Sequence, residues 1–139
     1  MQKKSENGLR NFFSYIIFGI LVWAGCATAS ENADQTLYDG IIANSIDLVN
    51  SGIQKGAYLN KRYTNGETPL TTAAERNASP QIIKALVNGG ANISAQNDLG
   101  ETALHKALNF AAREENIILL INYGSDINFP TSFTKTPLI

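Results

Sequence analysis

Cysteine is nearly missing from this chain. Cys26 is alone among 139 residues, so no disulfide can form within the molecule, and cleavage downstream of it would leave no thiol at all. Histidine is as scarce. His105 is the one imidazole, with no cysteine or second histidine to complete a metal-ligand set. Charged residues make up 17% of the chain, below the usual quarter, and a basic cluster is lacking. Lys3, Lys4 and Arg10 stand in the first ten residues, and beyond residue 29 eight basic residues face eleven acidic ones. Phosphate-backbone binding needs grouped lysine and arginine to release counterions, so this balance argues against a nucleic-acid partner. What is present is ordinary: 44% hydrophobic residues and a length with room for one domain.

The one long apolar run lies near the start. Residues 1–10 are polar and positive, Phe12 to Trp23 are almost wholly apolar, and Gly25-Cys26-Ala27-Thr28-Ala29 are small, the three zones of an export signal. Ala27-Thr28-Ala29 meets the small-x-small requirement for cleavage before Ser30. Ala24-Gly25-Cys26 resembles the lipobox of bacterial lipoproteins, in which the cysteine is acylated and becomes the first mature residue, although Trp23 stands where that pattern usually has an aliphatic. Two mature forms follow, one soluble from Ser30 and one lipidated at Cys26. A third reading keeps Phe12–Ala29 as an uncleaved anchor, but that run is at the short end for a membrane span and weakly apolar in its last third. The expected division is a signal over residues 1–29, a polar linker over 30–36 with Asp34 as a helix cap, and a folded domain over 37–139.

That domain repeats itself. Gly66-Glu67-Thr68-Pro69-Leu70 returns as Gly100-Glu101-Thr102-Ala103-Leu104, and Lys135-Thr136-Pro137-Leu138 begins a further copy. Gly56-Ala57-Tyr58-Leu59-Asn60, Gly90-Ala91-Asn92-Ile93-Ser94 and Gly124-Ser125-Asp126-Ile127-Asn128 keep the same 34-residue step. Two markers in phase at a period between 20 and 50 indicate a stacked array. Within the first copy, apolar residues at 37, 41 and 42 and then at 46, 49 and 53 recur at three and four, the signature of two short amphipathic helices that turn at Asn44-Ser45. Lys55-Gly56-Ala57 ends the second helix, since glycine readily takes the left-handed backbone of a helix stop. Asn65-Gly66 makes a tight turn. Thr68 then caps the next helix, and Pro69 fits its first position, where an N–H would have no helical partner.

Thr68-Pro69-Leu70, Ala73-Ala74, Ile82-Ile83-Lys84-Ala85-Leu86-Val87 and Gly89-Gly90-Ala91-Asn92-Ile93 resemble an ankyrin repeat. Thr102-Ala103-Leu104-His105-Lys106-Ala107, with Ile117-Ile118-Leu119-Leu120 and Gly124-Ser125-Asp126-Ile127-Asn128, is similar to the next copy. The resemblance covers residues 37–138. It implies an all-α solenoid of about three helix-turn-helix repeats with projecting loops and a truncated fourth repeat. The family usually repeats at 33, and the extra residue is expected between the paired helices, near Asn77-Ala78-Ser79-Pro80 and Phe110-Ala111-Ala112-Arg113. Gly40 and Gly52 depart from the family's Ala and Leu, and a helical glycine costs about 1 kcal/mol against alanine, so the first helix is expected to fray. The fourth copy reaches only one turn before Ile139, which leaves the apolar faces of Ile117, Ile118, Leu120 and Ile121 without a full neighbour.

Chemistry is hard to find in these residues. The family often has His after Thr-x-Leu, bonded to a neighbouring backbone, so His105 reads as structural, and Thr71 replaces it one copy earlier. No serine sits in the strand-turn-helix setting of a nucleophile elbow. Gly89-Gly90 lacks the lysine of a P-loop and falls where the repeat needs a helix stop. Asn92-Ile93-Ser94 fits a glycosylation acceptor by composition alone. The resemblance therefore implies a binding module without catalysis, cofactor or metal, whose concave side is built from loop tips and first helices. The tips Lys61-Arg62-Tyr63-Thr64-Asn65, Gln96-Asn97-Asp98-Leu99 and Phe129-Pro130-Thr131-Ser132-Phe133 differ while the frame repeats. Interfaces favour arginine and aromatic anchors, which selects Arg62, Tyr63, Phe129 and Phe133, with Asp98 on the second tip and Glu75, Arg76, Lys106 and Asn109 as rim. The expected partner of this monomer is another protein, met in the periplasm or at the cell envelope. An inhibitor of a periplasmic enzyme and an effector acting on host proteins are the alternatives.

Overall fold

A computed structural model describes residues 32–128. The first helix, α1, covers residues 32–42, and five more follow: α2 (Ile46–Gln54), α3 (Pro69–Glu75), α4 (Pro80–Asn88), α5 (Ala103–Asn109) and α6 (Glu114–Asn122). A single 3-10 turn at Thr64–Gly66 interrupts the first long loop. Among the described residues there is no strand. The helices pair in sequence as α1–α2, α3–α4 and α5–α6. First helices form one layer, with α3 against α5, and second helices the other, with α2, α4 and α6 in a row.

Each pair begins with a cap that its residues specify. Thr68 Oγ1 accepts the Thr71 amide at 3.3 Å and Thr71 Oγ1 accepts the Thr68 amide at 2.7 Å, a reciprocal box that satisfies two otherwise unpaired donors at the start of α3. At α5 the partner of Thr102 is His105, whose Nδ1 accepts the Thr102 amide at 3.2 Å. An imidazole and a hydroxyl thus serve one position in successive copies. The second helices stop at Gly56, Gly90 and Gly124, with φ of 84°, 107° and 93°, where a side chain would be strained.

One apolar core runs through all three pairs. Leu37 and Ile41 of α1, Leu70 of α3, Leu104 of α5, Ile82, Ile83 and Leu86 of α4 and Leu120 of α6 are all at most 1% exposed. Seven- and nine-residue helices do not persist alone, so this shared burial is what holds them.

Two expectations for the first copy are corrected. Residues 32–36 are part of α1 and not a linker, and Asp34 caps nothing: it lies inside the helix, 6% exposed, accepting the Tyr58 amide at 2.7 Å and the Lys61 ammonium at 2.9 Å. Nor does α1 fray at Gly40. A Cβ there would meet Val49 N at 2.7 Å, and one at Gly52 would meet Leu37 Cα at 2.8 Å. Each glycine lets its helix touch the other's backbone, so its packing role outweighs its poor helix propensity.

The connections within pairs run over 43–45, 76–79 and 110–113. The extra residue therefore sits between the paired helices of the second and third copies, where the spacing places it. Each connection turns on one left-handed residue, Asn44, Asn77 and Ala111, with φ of 53°, 51° and 49°. The two asparagines reach forward by one copy. Asn44 Oδ1 accepts the Ser79 amide at 2.8 Å and Asn77 Oδ1 accepts the Arg113 amide at 3.0 Å, so each also serves the start of the next second helix. Cys26, Phe129, Phe133, the export signal and the fourth copy lie outside the described residues. No helix among the described residues is long and apolar enough to cross a membrane.

Candidate partner-binding groove

The long loops fold back on themselves and then onto each other. In the first, the Tyr63 amide donates to Glu67 O at 2.7 Å, and in the second the Asn97 amide donates to Glu101 O at 3.0 Å. The Asp98 amide joins them through Asn65 O at 2.9 Å. Arg62 spans the same gap, with Nη1 donating to Gln96 O and Nη2 to Asp98 Oδ1, both at 2.8 Å. Gly66, with φ of 73°, has no room for a side chain beneath this pair. Arg62 and Asp98, selected as contact residues, hold each other across the two loops.

Between the first loop and the first helices lies a groove of about 620 Å³, lined by Gln35 and Tyr38 of α1, residues 62–65 and 67 of the loop, and Thr72, Glu75 and Arg76 at and beyond α3. Four of the expected residues therefore meet there: Arg62, Tyr63, Glu75 and Arg76. Tyr38 and Tyr63 form its aromatic wall, their centroids 4.8 Å apart and their planes tilted by 49°. Burial pushes the Tyr63 phenol up to about 12, helped by the negative charge of Asp34.

Behind two of the groove's lining residues, Glu67 and Glu75, lies a charge network. Lys106 was expected at the rim, but its side chain is only 10% exposed, with Nζ 2.9 Å from Glu67 Oε1, 3.4 Å from Glu75 Oε2 and 3.4 Å from Glu101 Oε2. α5 starts at the Thr102 cap, so Lys106 falls one turn in, on the face against α3. A lysine is rarely buried unless paired, and here three carboxylates share it. Asn97 Nδ2 donates to Glu67 Oε1 and Glu101 Oε2, and Asn109 Nδ2 donates to Glu101 Oε1. Burial alone would raise the Glu67 carboxyl, but hydrogen bonds from Thr71, Asn97 and Lys106, and the ammonium's charge, hold it below the usual range. Lys106 is raised, since the carboxylates outweigh the burial that would lower it. Asn109 itself is exposed.

Two groove residues, and an aromatic ring beside Lys106, escaped the sequence reading. Tyr38 and Gln35 were placed in or before a fraying segment, although Tyr38 follows Leu37 as Thr71 follows Leu70 and His105 follows Leu104, a correspondence that could have found it. Phe110 is 53% exposed, with its ring 5.5 Å from the Lys106 ammonium; no periodicity marks it. Among the described residues no group of three His, Cys, Asp or Glu is placed to hold a metal ion.

Comparison with known proteins agrees with this geometry. No curated protein is significantly similar to the chain. A family model described as ankyrin repeats in three copies matches residues 37–131. With most of its length so matched, the chain belongs to the ankyrin-repeat family.

Proposed function

We infer that the chain is a non-catalytic module that binds another protein through its concave groove, and that it is exported and acts in the periplasm or tethered to the bacterial envelope. Ankyrin repeats imply a protein-binding module. The observation that carries the choice of surface is the contrast between frame and loops. Caps, core and turns repeat from copy to copy, whereas the groove wall carries Arg62, Tyr63, Glu75 and Arg76, which do not recur. Residues that vary on a repeating scaffold are free to answer to a partner. Tyrosine and arginine are also the side chains that most often anchor interfaces.

The groove needs no reacting group to do this. Arg62 and Glu67 are already paired within the fold, with Asp98 and Lys106, so they shape the wall before a partner arrives and little ordering cost remains. Arg76 and the Tyr38–Tyr63 pair are left to make contacts. A photo-crosslinking residue placed at Arg76 and, in a second variant, at exposed Lys84 on α4 tests the reading in intact cells. Crosslinks to one protein from position 76 alone are expected; equal yields from both positions would defeat it. Export rests on the three zones of residues 1–29. Mass measurement of the mature N-terminus decides it: a free Ser30 means soluble, a lipid on Cys26 means tethered, and an intact Met1 refutes export.

A further inference from the structure

The two edges of the repeat stack differ in how much charge fastens them. On the loop edge Lys61 pairs with Asp34, Arg62 with Asp98, and Lys106 with Glu67 and Glu101, while Lys106 also reaches Glu75 at the far end of α3. Asn60 adds uncharged bonds there, its Oδ1 accepting the Asn92 amide at 2.7 Å and its Nδ2 donating to Gly90 O at 3.3 Å. The opposite edge, where paired helices turn, is fastened by uncharged amides. Asn44 takes the Ser79 amide and Asn77 the Arg113 amide, while Asn116 Nδ2 donates to Ala78 O at 2.8 Å.

We propose that the stack is an electrostatically latched hinge: loss of carboxylate charge releases the loop edge and opens the groove, while the turn edge stays closed around its asparagines. Three observations carry this. Carboxylates on the loop edge outnumber the cations they meet, so the joint depends on ionised oxygens sharing Lys106. Neutralising them strands an ammonium whose side chain is 10% exposed, and an unpaired buried charge drives a site open to water. The turn residues 43–45, 76–79 and 110–113 take part in none of these ion pairs, so the same neutralisation leaves their hydrogen bonds intact.

The remaining titratable groups on the loop edge do not oppose the release. Tyr63, pushed up to about 12 by burial, stays neutral in acid, and His105 accepts the Thr102 amide through Nδ1. Asp34 is held below the ordinary carboxylate range although burial alone would raise it, because the Lys61 ammonium and the Tyr58 amide favour its charged form. Glu67 is likewise held low. Both shifts place the release in acid, below about pH 4.

As a property of the groove, the latch rests on the reading of that groove as the binding surface. Its test needs no partner, so the two can fail separately. Amide exchange of the full chain, corrected for intrinsic rate, is compared at neutral pH and at about pH 3.5. Residues 62–67 and 96–101 are expected to exchange at least about tenfold faster in acid, with Ser79 and Arg113 changed less than about twofold. Glu67→Gln at neutral pH should reproduce that regional pattern. Should this variant not fold, Asp98→Asn, at a side chain 63% exposed, is expected to speed exchange at residues 62–66 and 96–98 alone. Equal acceleration at both edges, or no change at either, would overturn the latch.

Discussion

Lys106→Met is the substitution that exposes most of the physics. Methionine keeps nearly the same length and suits the apolar stem, so the change removes little except the ammonium. Left behind are Glu67, Glu75 and Glu101, with side chains 14%, 34% and 18% exposed, facing one another without a cation. Removing one partner of a fully buried pair costs about 3–5 kcal/mol. These carboxylates keep some contact with water, and Asn97 and Asn109 still donate to two of them, so the expected loss is nearer 2–3 kcal/mol. For an array of this size that corresponds to a fall in Tm of roughly 10–20 °C. Thermal melts followed by circular dichroism at neutral pH measure it. Glu67→Gln placed on top of Lys106→Met should recover part of the loss, because one of the crowded charges goes with it.

The pH dependence gives a second handle on the same residue. In the native chain Glu67 is depressed, so its contribution is present above its unfolded value and is lost as pH falls through the lower folded one. Without Lys106 only the hydrogen bonds from Thr71 and Asn97 still favour the charged form. The gap between the two proteins should therefore be widest at neutral pH and close below about pH 4. A loss under about 0.5 kcal/mol at neutral pH would refute the reasoning, as would a gap that widens in acid.

Other outcomes follow from the same coordinates. Gly52→Ala should destabilise by about 1–3 kcal/mol through overpacking, since its Cβ would lie 2.8 Å from Leu37 Cα; helix propensity alone predicts a gain of about 1 kcal/mol, so a denaturant titration decides by sign. Asn77→Ala removes the acceptor for the Arg113 amide and the Asn116 side chain at a left-handed position, and should cost about 2 kcal/mol by chemical denaturation. His105→Thr should cost less than His105→Ala, because threonine fills the equivalent place in the α3 cap; equal losses would show that the cap bond contributes nothing. The native chain itself should lose stability as pH falls below about 4, since Asp34 and Glu67 are both depressed, and urea midpoints against pH would show it.

What could be read from the residues and what could not divides along sequence separation. Thr68 and Pro69, the glycine stops and the threefold and fourfold apolar spacing act within one helical turn, so the caps, helices and stacking were legible. The position of the extra residue was legible too, because copies can be compared with one another. Asp34 was misread because its partners, Tyr58 and Lys61, lie 24 and 27 residues onward, and nothing beside it in the chain hints at them. Gly40 and Gly52 were misread because propensity describes an isolated helix and these glycines answer to a neighbour. Lys106 was assigned to the rim by its charge, yet its burial depends on three carboxylates from two loops and α3. Arg62 and Tyr63 were legible as groove residues, though that Arg62 is already engaged by Asp98 emerges only when both loops are in place.

The claim that a pre-shaped concave groove meets the partner is tested most directly by footprinting a crosslinked or purified partner on the full chain through amide exchange. Protection is predicted over residues 62–67 and 72–76, with α2 and α4 unaltered. Protection confined to α2 and α4, with the groove untouched, would contradict it.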